Sequence, residues 1–156
     1  MAFETTLVLV KPDGVQRGLI GRIVARFEEK GFQVAGLKLM RATKPLLEQH
    51  YAAHKERPFF PGLVAFMGSG PIVALAVRGL KAIEVVRKMM GETNAAKAEP
   101  GTIRGDFGLS RSFNLVHGSD SPEAAKKELA LFFQAGEILD YDLSRTAHTI
   151  DLREEG

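Results

Sequence analysis

The apolar positions of this chain alternate between strand-like runs and helical spacing. Residues 5–10 are β-branched and apolar and read as a strand. After a turn at Pro12-Asp13-Gly14, Ile20, Ile23, Val24 and Phe27 recur at helical intervals until Gly31 stops the helix. Residues 32–41 read as a second strand, and Thr43 as the cap of a helix carrying Leu46, Leu47 and Tyr51. Pro58 and Pro61 bracket an aromatic corner at Phe59-Phe60, with one further short helix over 63–67. A third strand covers 72–77, and a helix over 81–90 turns Ile83 and Val86 inward. A short fourth strand surrounds Leu115-Val116, and Ala125, Leu129, Phe132 and Phe133 give the last helix its apolar face. The remainder to Gly156 has no clear period. Two βαβ units emerge, which suggests an α+β sandwich of the ferredoxin-like type: a four-stranded antiparallel sheet with helices covering one face. Residues 91–113 form a long insertion with little expected secondary structure, and loops of that length in compact domains are usually functional.

Length and composition narrow the setting. The 156 residues bury one substantial core, so 1–156 is expected to be a single domain. No run approaches the roughly 20 apolar residues of a membrane span. Met1-Ala2-Phe3-Glu4 leads straight into the first strand without a basic and then apolar leader, so no signal peptide is expected. The absence of cysteine excludes disulfides and thiolate metal sites and suits a reducing interior; cytoplasm is the expected compartment. The net charge of +2 hides an asymmetry: residues 1–117 carry 17 basic and 10 acidic side chains, whereas 118–156 carry 4 and 9. Most such charges are solvated helix faces. The arginines inside glycine-containing segments are the exceptions that suit an anion.

The chemistry concentrates in a few segments. In Asn-Leu-Val-His-Gly-Ser-Asp-Ser-Pro, from Asn114 to Pro122, His117 stands between an apolar strand and a helix start marked by Ser121 and Pro122. Gly118 would let the backbone turn there, and free helix N–H groups favour anions. A lone histidine beside an apolar run is more often structural. Further segments change the balance: Arg-Lys-Met-Met-Gly-Glu-Thr-Asn from Arg87, Pro-Gly-Thr-Ile-Arg-Gly-Asp-Phe from Pro100, and Lys11-Pro12-Asp13-Gly14. Guanidinium forks and hydroxyls grip phosphate oxygens, and glycines permit close approach.

These segments resemble those of the nucleoside diphosphate kinases. The matching stretches are Lys-Pro-Asp-Gly-Val-Gln-Arg-Gly from Lys11, Arg-Pro-Phe-Phe-Pro-Gly-Leu-Val from Arg57, Gly-Glu-Thr-Asn from Gly91, Pro-Gly-Thr-Ile-Arg-Gly-Asp-Phe from Pro100, and His-Gly-Ser-Asp-Ser from His117. They stand in family order over nearly the whole chain. The resemblance implies the same ferredoxin-like fold and a ping-pong transfer of the γ-phosphate of a nucleoside triphosphate, typically ATP, to a nucleoside diphosphate through phospho-His117. It implies that Lys11 contacts the transferred phosphate and the ribose 3′-hydroxyl, that Arg87, Thr93 and Arg104 bind the β- and γ-phosphates, and that Asn114 binds the sugar hydroxyl. Phe59 is implied as the ring on which the base stacks, with Leu63 also in the nucleotide site. Tyr51 and Ser119 match hydroxyls near the catalytic phosphate, and Glu128 the carboxylate that orients the imidazole. Mg²⁺ is implied as cofactor, held mainly by the nucleotide phosphates, with Asp120 the carboxylate to reach it through water. Expected partners are nucleoside di- and triphosphates and further copies of the chain, as hexamer or tetramer, with residues 95–105 at a subunit interface; neither membrane nor nucleic acid is expected.

Taken singly, Phe59 suits a core, Arg87 a solvated face and Glu128 a surface position; only inside the matched motifs do they become a site. The chain departs from the common family pattern at Arg111-Ser112-Phe113, where a small apolar residue and then glycine are frequent, and at Ala53, where many members are acidic. Arg111 could stack over a purine, turn toward Asp106 or stay in solvent. Two other readings are weaker. Arg104-Gly105-Asp106-Phe107-Gly108 superficially matches an RNA-binding signature, but Asp106 interrupts the required order. A scaffold that has lost its chemistry would lack the histidine or a phosphate ligand, and all are present.

Overall fold

The structure, a computed structural model, describes residues 3–154. In chain order the elements are β1 (Phe3–Val10), α1 (Pro12–Gln16), α2 (Ile20–Lys30), β2 (Gln33–Met40), α3 (Lys44–His50), α4 (Phe60–Met67), β3 (Ile72–Leu80), α5 (Ala82–Met90), α6 (Ile103–Phe107), β4 (Val116–Gly118) and α7 (Pro122–Phe132), with 3₁₀ turns at Ala52–His54, Ala95–Lys97 and Ser144–His148. The periodicity placed every strand and long helix. Three short pieces differ from expectation. Pro12–Gln16 is a helical turn entered through proline rather than a plain turn, the insertion 91–113 contains α6 and a 3₁₀ turn, and the segment after α7 contains a third such turn. The expected single domain extends over residues 1–2 and 155–156, which lie outside the described part.

The strands form one sheet in the order β2-β3-β1-β4, every neighbouring pair antiparallel, as a ferredoxin-like sandwich requires. Helices cover both faces of this sheet, not one. Leu7, Val8, Leu9 and Val10 are all fully buried, which a one-sided sheet could not do because successive strand residues point to opposite faces. Val8 and Val10 pack with Ile23 and Phe27 of α2 and Val86 and Met90 of α5. Leu7 and Leu9 pack with Leu47 of α3, Val64 and Met67 of α4, and Phe132 of α7. Removing a fully buried ring such as Phe27 would cost about 3–5 kcal/mol. The edge strand β2 is less covered, with Leu37 and Leu39 55% and 65% exposed.

Local chemistry sets the helix ends. Thr43 accepts a hydrogen bond from the Leu46 N–H at the start of α3, Ser121 one from Ala124 at the start of α7, and Gly31 ends α2 at φ 111°. Among the described residues no helix is long and apolar enough to cross a membrane.

Candidate functional site

The site assembles where β1 ends and the edge strand β4 runs beside it. His117 is the middle residue of β4 and pairs with Leu9, so it sits inside a strand rather than just after one. Gly118 is correspondingly not a turn. A Cβ there would stand 2.9 Å from Met90 Sδ, so glycine lets α5 lie close behind the histidine without moving the Met90 side chain. The turn lies ahead instead, at the fully buried Leu115, whose φ of 73° is a conformation L-residues rarely adopt. The Leu115 carbonyl accepts from Lys11 N–H at 2.8 Å and its own N–H donates to Asp13 Oδ2 at 3.1 Å, which holds that bend against the end of β1.

Around the imidazole, α7 supplies a carboxylate. His117 Nε2 and Glu128 Oε1 are 2.6 Å apart, and Ser119 Oγ donates to the same oxygen at 3.1 Å. Burial pushes the Glu128 carboxyl up. The hydrogen bonds from His117 and from the Ser119 hydroxyl outweigh it, so the group lies below the ordinary glutamate range. The Tyr51 hydroxyl is buried without a hydrogen-bond partner. Burial and the neighbouring Glu128 charge push its ionisation up, so it stays a neutral O–H.

Cations gather where β1 ends beside α5 and α6. Lys11, at the end of β1, donates from Nζ to Asn114 Oδ1 at 2.8 Å, and the Asn114 amide donates to the Thr93 carbonyl at 3.0 Å, joining segments about a hundred residues apart. Arg104 on α6 is buried, and its fork spans the Asn114, Gly91 and Val116 carbonyls at 3.2, 2.8 and 2.8 Å. These bonds staple the insertion to β4 and leave only part of the guanidinium for a ligand. Burial and Arg104 lower Lys11 to about 8, and burial and Arg87 lower Arg104 to about 10. Lys11, Arg104 and Arg87 feel one another's charge, with Asp13 the carboxylate that partly offsets it at Lys11, and such an excess of cations suits a polyanion. Arg87 is exposed on α5, its guanidinium donating to the Gly118 carbonyl at 3.2 Å, and Thr93 is exposed. Arg87 and Asp120 share the wall of a cleft of about 800 Å³ that also includes Gly91 and Thr102, and whose wall does not include His117. Asp120 is exposed there, in a cleft also lined by Glu4, Glu84, Glu92 and Glu99, and a carboxylate of this kind fits a Mg²⁺ ion carried on phosphates, since Mg²⁺ takes one or two carboxylates and keeps water.

The side next to α4 is more open. Phe59, immediately before α4, is 54% exposed with the His54 ring 5.4 Å away, so it is not a core residue, and Leu63 is half-buried one turn on. Phe113 is 56% exposed and meets Phe66 edge-on at 5.3 Å. Arg111 is exposed. Its possible partner Asp106 is already engaged, by Arg26 Nη2 at 2.5 Å and the Gly101 N–H at 2.9 Å.

Two contributors escape the local sequence pattern. Arg26 of α2 donates to Asp106 and the Gly101 carbonyl and lies over the Phe107 ring at 4.8 Å, anchoring α6 from the opposite side to Arg104. His50, the last residue of α3, meets the His117 ring edge-on with centroids 4.8 Å apart, and neither of its ring nitrogens has a partner. Burial, then the neighbouring His117, lowers it to about 3, so it is neutral. No local signal marks either residue, because both meet the site through crossings of elements distant in sequence.

The chain matches the family model described as nucleoside diphosphate kinase over residues 4–138. A nucleoside diphosphate kinase of Halalkalibacterium halodurans is 58% identical over 139 residues, 89% of this chain and 95% of that protein. One from a Synechococcus species is 55% identical, with 88% and 93% covered. The solved structure of a halophilic nucleoside diphosphate kinase from Halobacterium salinarum in complex with CDP is 49% identical and superposes with a TM-score of 0.94, covering 96% of this chain and all of that one.

Proposed function

The chain belongs to the nucleoside diphosphate kinase family and transfers the terminal phosphoryl group of a nucleoside triphosphate to a nucleoside diphosphate, and on that premise we propose that His117 carries the phosphoryl group between the two. One observation carries the reading: the 2.6 Å contact of His117 Nε2 with Glu128 Oε1. An ionised carboxylate only accepts, so the ring proton resides on Nε2 and the lone pair on Nδ1. The Nδ1 pair attacks the γ-phosphorus, the bond to the β–γ bridging oxygen breaks, and the nucleoside diphosphate leaves with that oxygen. In the second half an oxygen of the incoming diphosphate attacks the same phosphorus, the P–N bond breaks and its electrons return to Nδ1. Glu128 holds the ring orientation and stabilises the positive charge that develops on it.

Lys11, Arg87 and Arg104 supply the positive field for the phosphates, with Thr93, Tyr51 and Ser119 as neutral donors, so the chain's work is positioning and charge compensation. Mg²⁺ bound on the phosphates would supply further neutralisation of their oxygens, with Asp120 holding it through water. Asn114, held by Lys11 and Thr93, faces the sugar hydroxyls, and Phe59 with Leu63 forms the stacking surface for the base. The working protein is a cytoplasmic homo-oligomer of single domains. The exposed Leu37 and Leu39 of the edge strand β2, together with the loop 95–105, support association, and the cysteine-free composition supports a reducing compartment.

Incubation with γ-labelled triphosphate and Mg²⁺ tests the two-stage route. An acid-labile phosphoprotein should form in the absence of acceptor and discharge fully when a nucleoside diphosphate is added. Transfer without any chargeable protein intermediate would refute it.

A further inference from the structure

The neighbour of the nucleophile, rather than the nucleophile itself, raises an unanswered question. His50 is half-buried beside His117, packed edge-on against Tyr51, His117 and Phe132, yet both of its ring nitrogens are buried and find no hydrogen-bond partner among the described residues. A buried polar group left without a partner is unfavourable, which asks for an occupant. One nitrogen from His50, one from His117 and one Glu128 oxygen all lie within 4.8 Å of one another. Two imidazoles and a carboxylate are the donor set of three-ligand zinc sites, and they are nitrogen-rich where Mg²⁺ takes oxygen.

We propose that His50, His117 and Glu128 form a binding site for a borderline-soft divalent cation, Zn²⁺, and that its occupation switches off phosphoryl acceptance at His117. A tetrahedral ion with bonds of ~2.0–2.1 Å places its ligands ~3.3 Å apart. The existing separations, from 2.6 Å between His117 and Glu128 up to a limit of 4.8 Å, bracket that value, so modest side-chain rotations close the site. Because Glu128 faces the Nε2 edge of the His117 ring, an ion shared with Glu128 takes Nε2. The ring's single proton then moves to Nδ1, and the lone pair that attacks phosphorus is gone. This consequence rests on the role of His117 proposed above; the binding site itself does not. Mg²⁺ on the nucleotide does not compete for these ligands, so the two metals act in opposite directions.

The test uses the full chain stripped of metal with a chelator that is then removed. Zn²⁺ alone is titrated against a chromophoric competitor, with His50→Phe, which keeps the ring packing, and His54→Phe, which changes an exposed histidine nearby. Wild type and His54→Phe should bind one ion per chain equally, and His50→Phe should bind at least about tenfold more weakly, since even outer-shell losses around a metal cost ~10–100-fold. In wild type the imidazole resonances of His50 and His117 should shift together in NMR, a readout independent of any variant's folding. At matched free Zn²⁺, uptake of label from the γ-labelled triphosphate should fall with occupancy. Equal affinity in His50→Phe, no stoichiometric binding, or shifts confined to other histidines would overturn the site. Zn²⁺ bound at these rings with undiminished labelling would overturn the switch and the assignment of His117 as acceptor together. Normal labelling without any Zn²⁺ binding would sink the site alone.

Discussion

Replacing Glu128 by Gln removes one charge while keeping the shape and an acceptor oxygen. The carboxylate is 12% exposed and accepts from His117 Nε2 at 2.6 Å and from Ser119 at 3.1 Å, so little solvent screening weakens the interaction. Hydrogen bonds to charged groups are worth about 1.5–3 kcal/mol. The bond matters most in the transition state, where the imidazole becomes positive, so the loss should fall on the barrier. At ~1.4 kcal/mol per tenfold, the first half-reaction should slow by about 10- to 150-fold. Glu128 faces the ring and not the nucleotide, so KM should be nearly unchanged. Single-turnover phosphorylation by rapid mixing, with steady-state kcat and KM alongside, measures both parts. A slowing below twofold, or a raised KM with unchanged kcat, would refute the orienting role.

Other consequences follow from the same geometry. Lys11 lies at about 8 in the free protein, so if its cation is needed, kcat/KM should fall as pH rises through that value, and Lys11→Arg, permanently charged, should lose that alkaline limb; an identical profile in the variant would contradict it. Because the folded-state value is lowered, the charged form strains the fold below about 8, and this group's contribution to stability improves between there and its unfolded value of ~10.4. Arg104→Lys gives up the fork that joins three backbone carbonyls, so urea unfolding should lose at least about 2 kcal/mol and proteolysis within 91–113 should accelerate; unchanged stability would show that the staple is idle. Phe59→Ala should leave unfolding within about 0.5 kcal/mol of wild type, because the ring is half-exposed, yet raise KM for purine and pyrimidine diphosphates alike, as stacking worth ~1–3 kcal/mol requires; an effect confined to one base would count against simple stacking.

The sequence pattern carried the fold wherever an element was long enough to repeat its period. The spacing of Ile20, Ile23 and Phe27 with Gly31 marked α2 to its last residue, and Thr43 and Ser121 marked their helices through side-chain caps that the structure contains. What failed were elements shorter than a period. The five-residue helices α1 and α6 cannot display one, and β4 owes its three residues to pairing with β1, which is why His117 was expected at a strand's end and lies within it. The second helical layer was readable in principle, since the uninterrupted apolar run Leu7-Val8-Leu9-Val10 has no solvent face. Motif likeness pointed to Glu128 beside the imidazole, and the structure sets its carboxylate 2.6 Å from His117 Nε2; the bond from Lys11 to Asn114 was not anticipated from sequence. It could not reveal His50 or Arg26, whose roles depend on which side chains meet across the fold.

The most direct measurement is to locate the phosphoryl group itself. Protein charged with γ-labelled triphosphate is digested under neutral conditions and its phosphopeptides mapped by mass spectrometry, for wild type and His117→Ala. All acid-labile phosphate should lie on His117 in wild type, discharged by any nucleoside diphosphate, and none should form in His117→Ala. Acid-labile label on His50, or label retained by His117→Ala, would contradict that assignment.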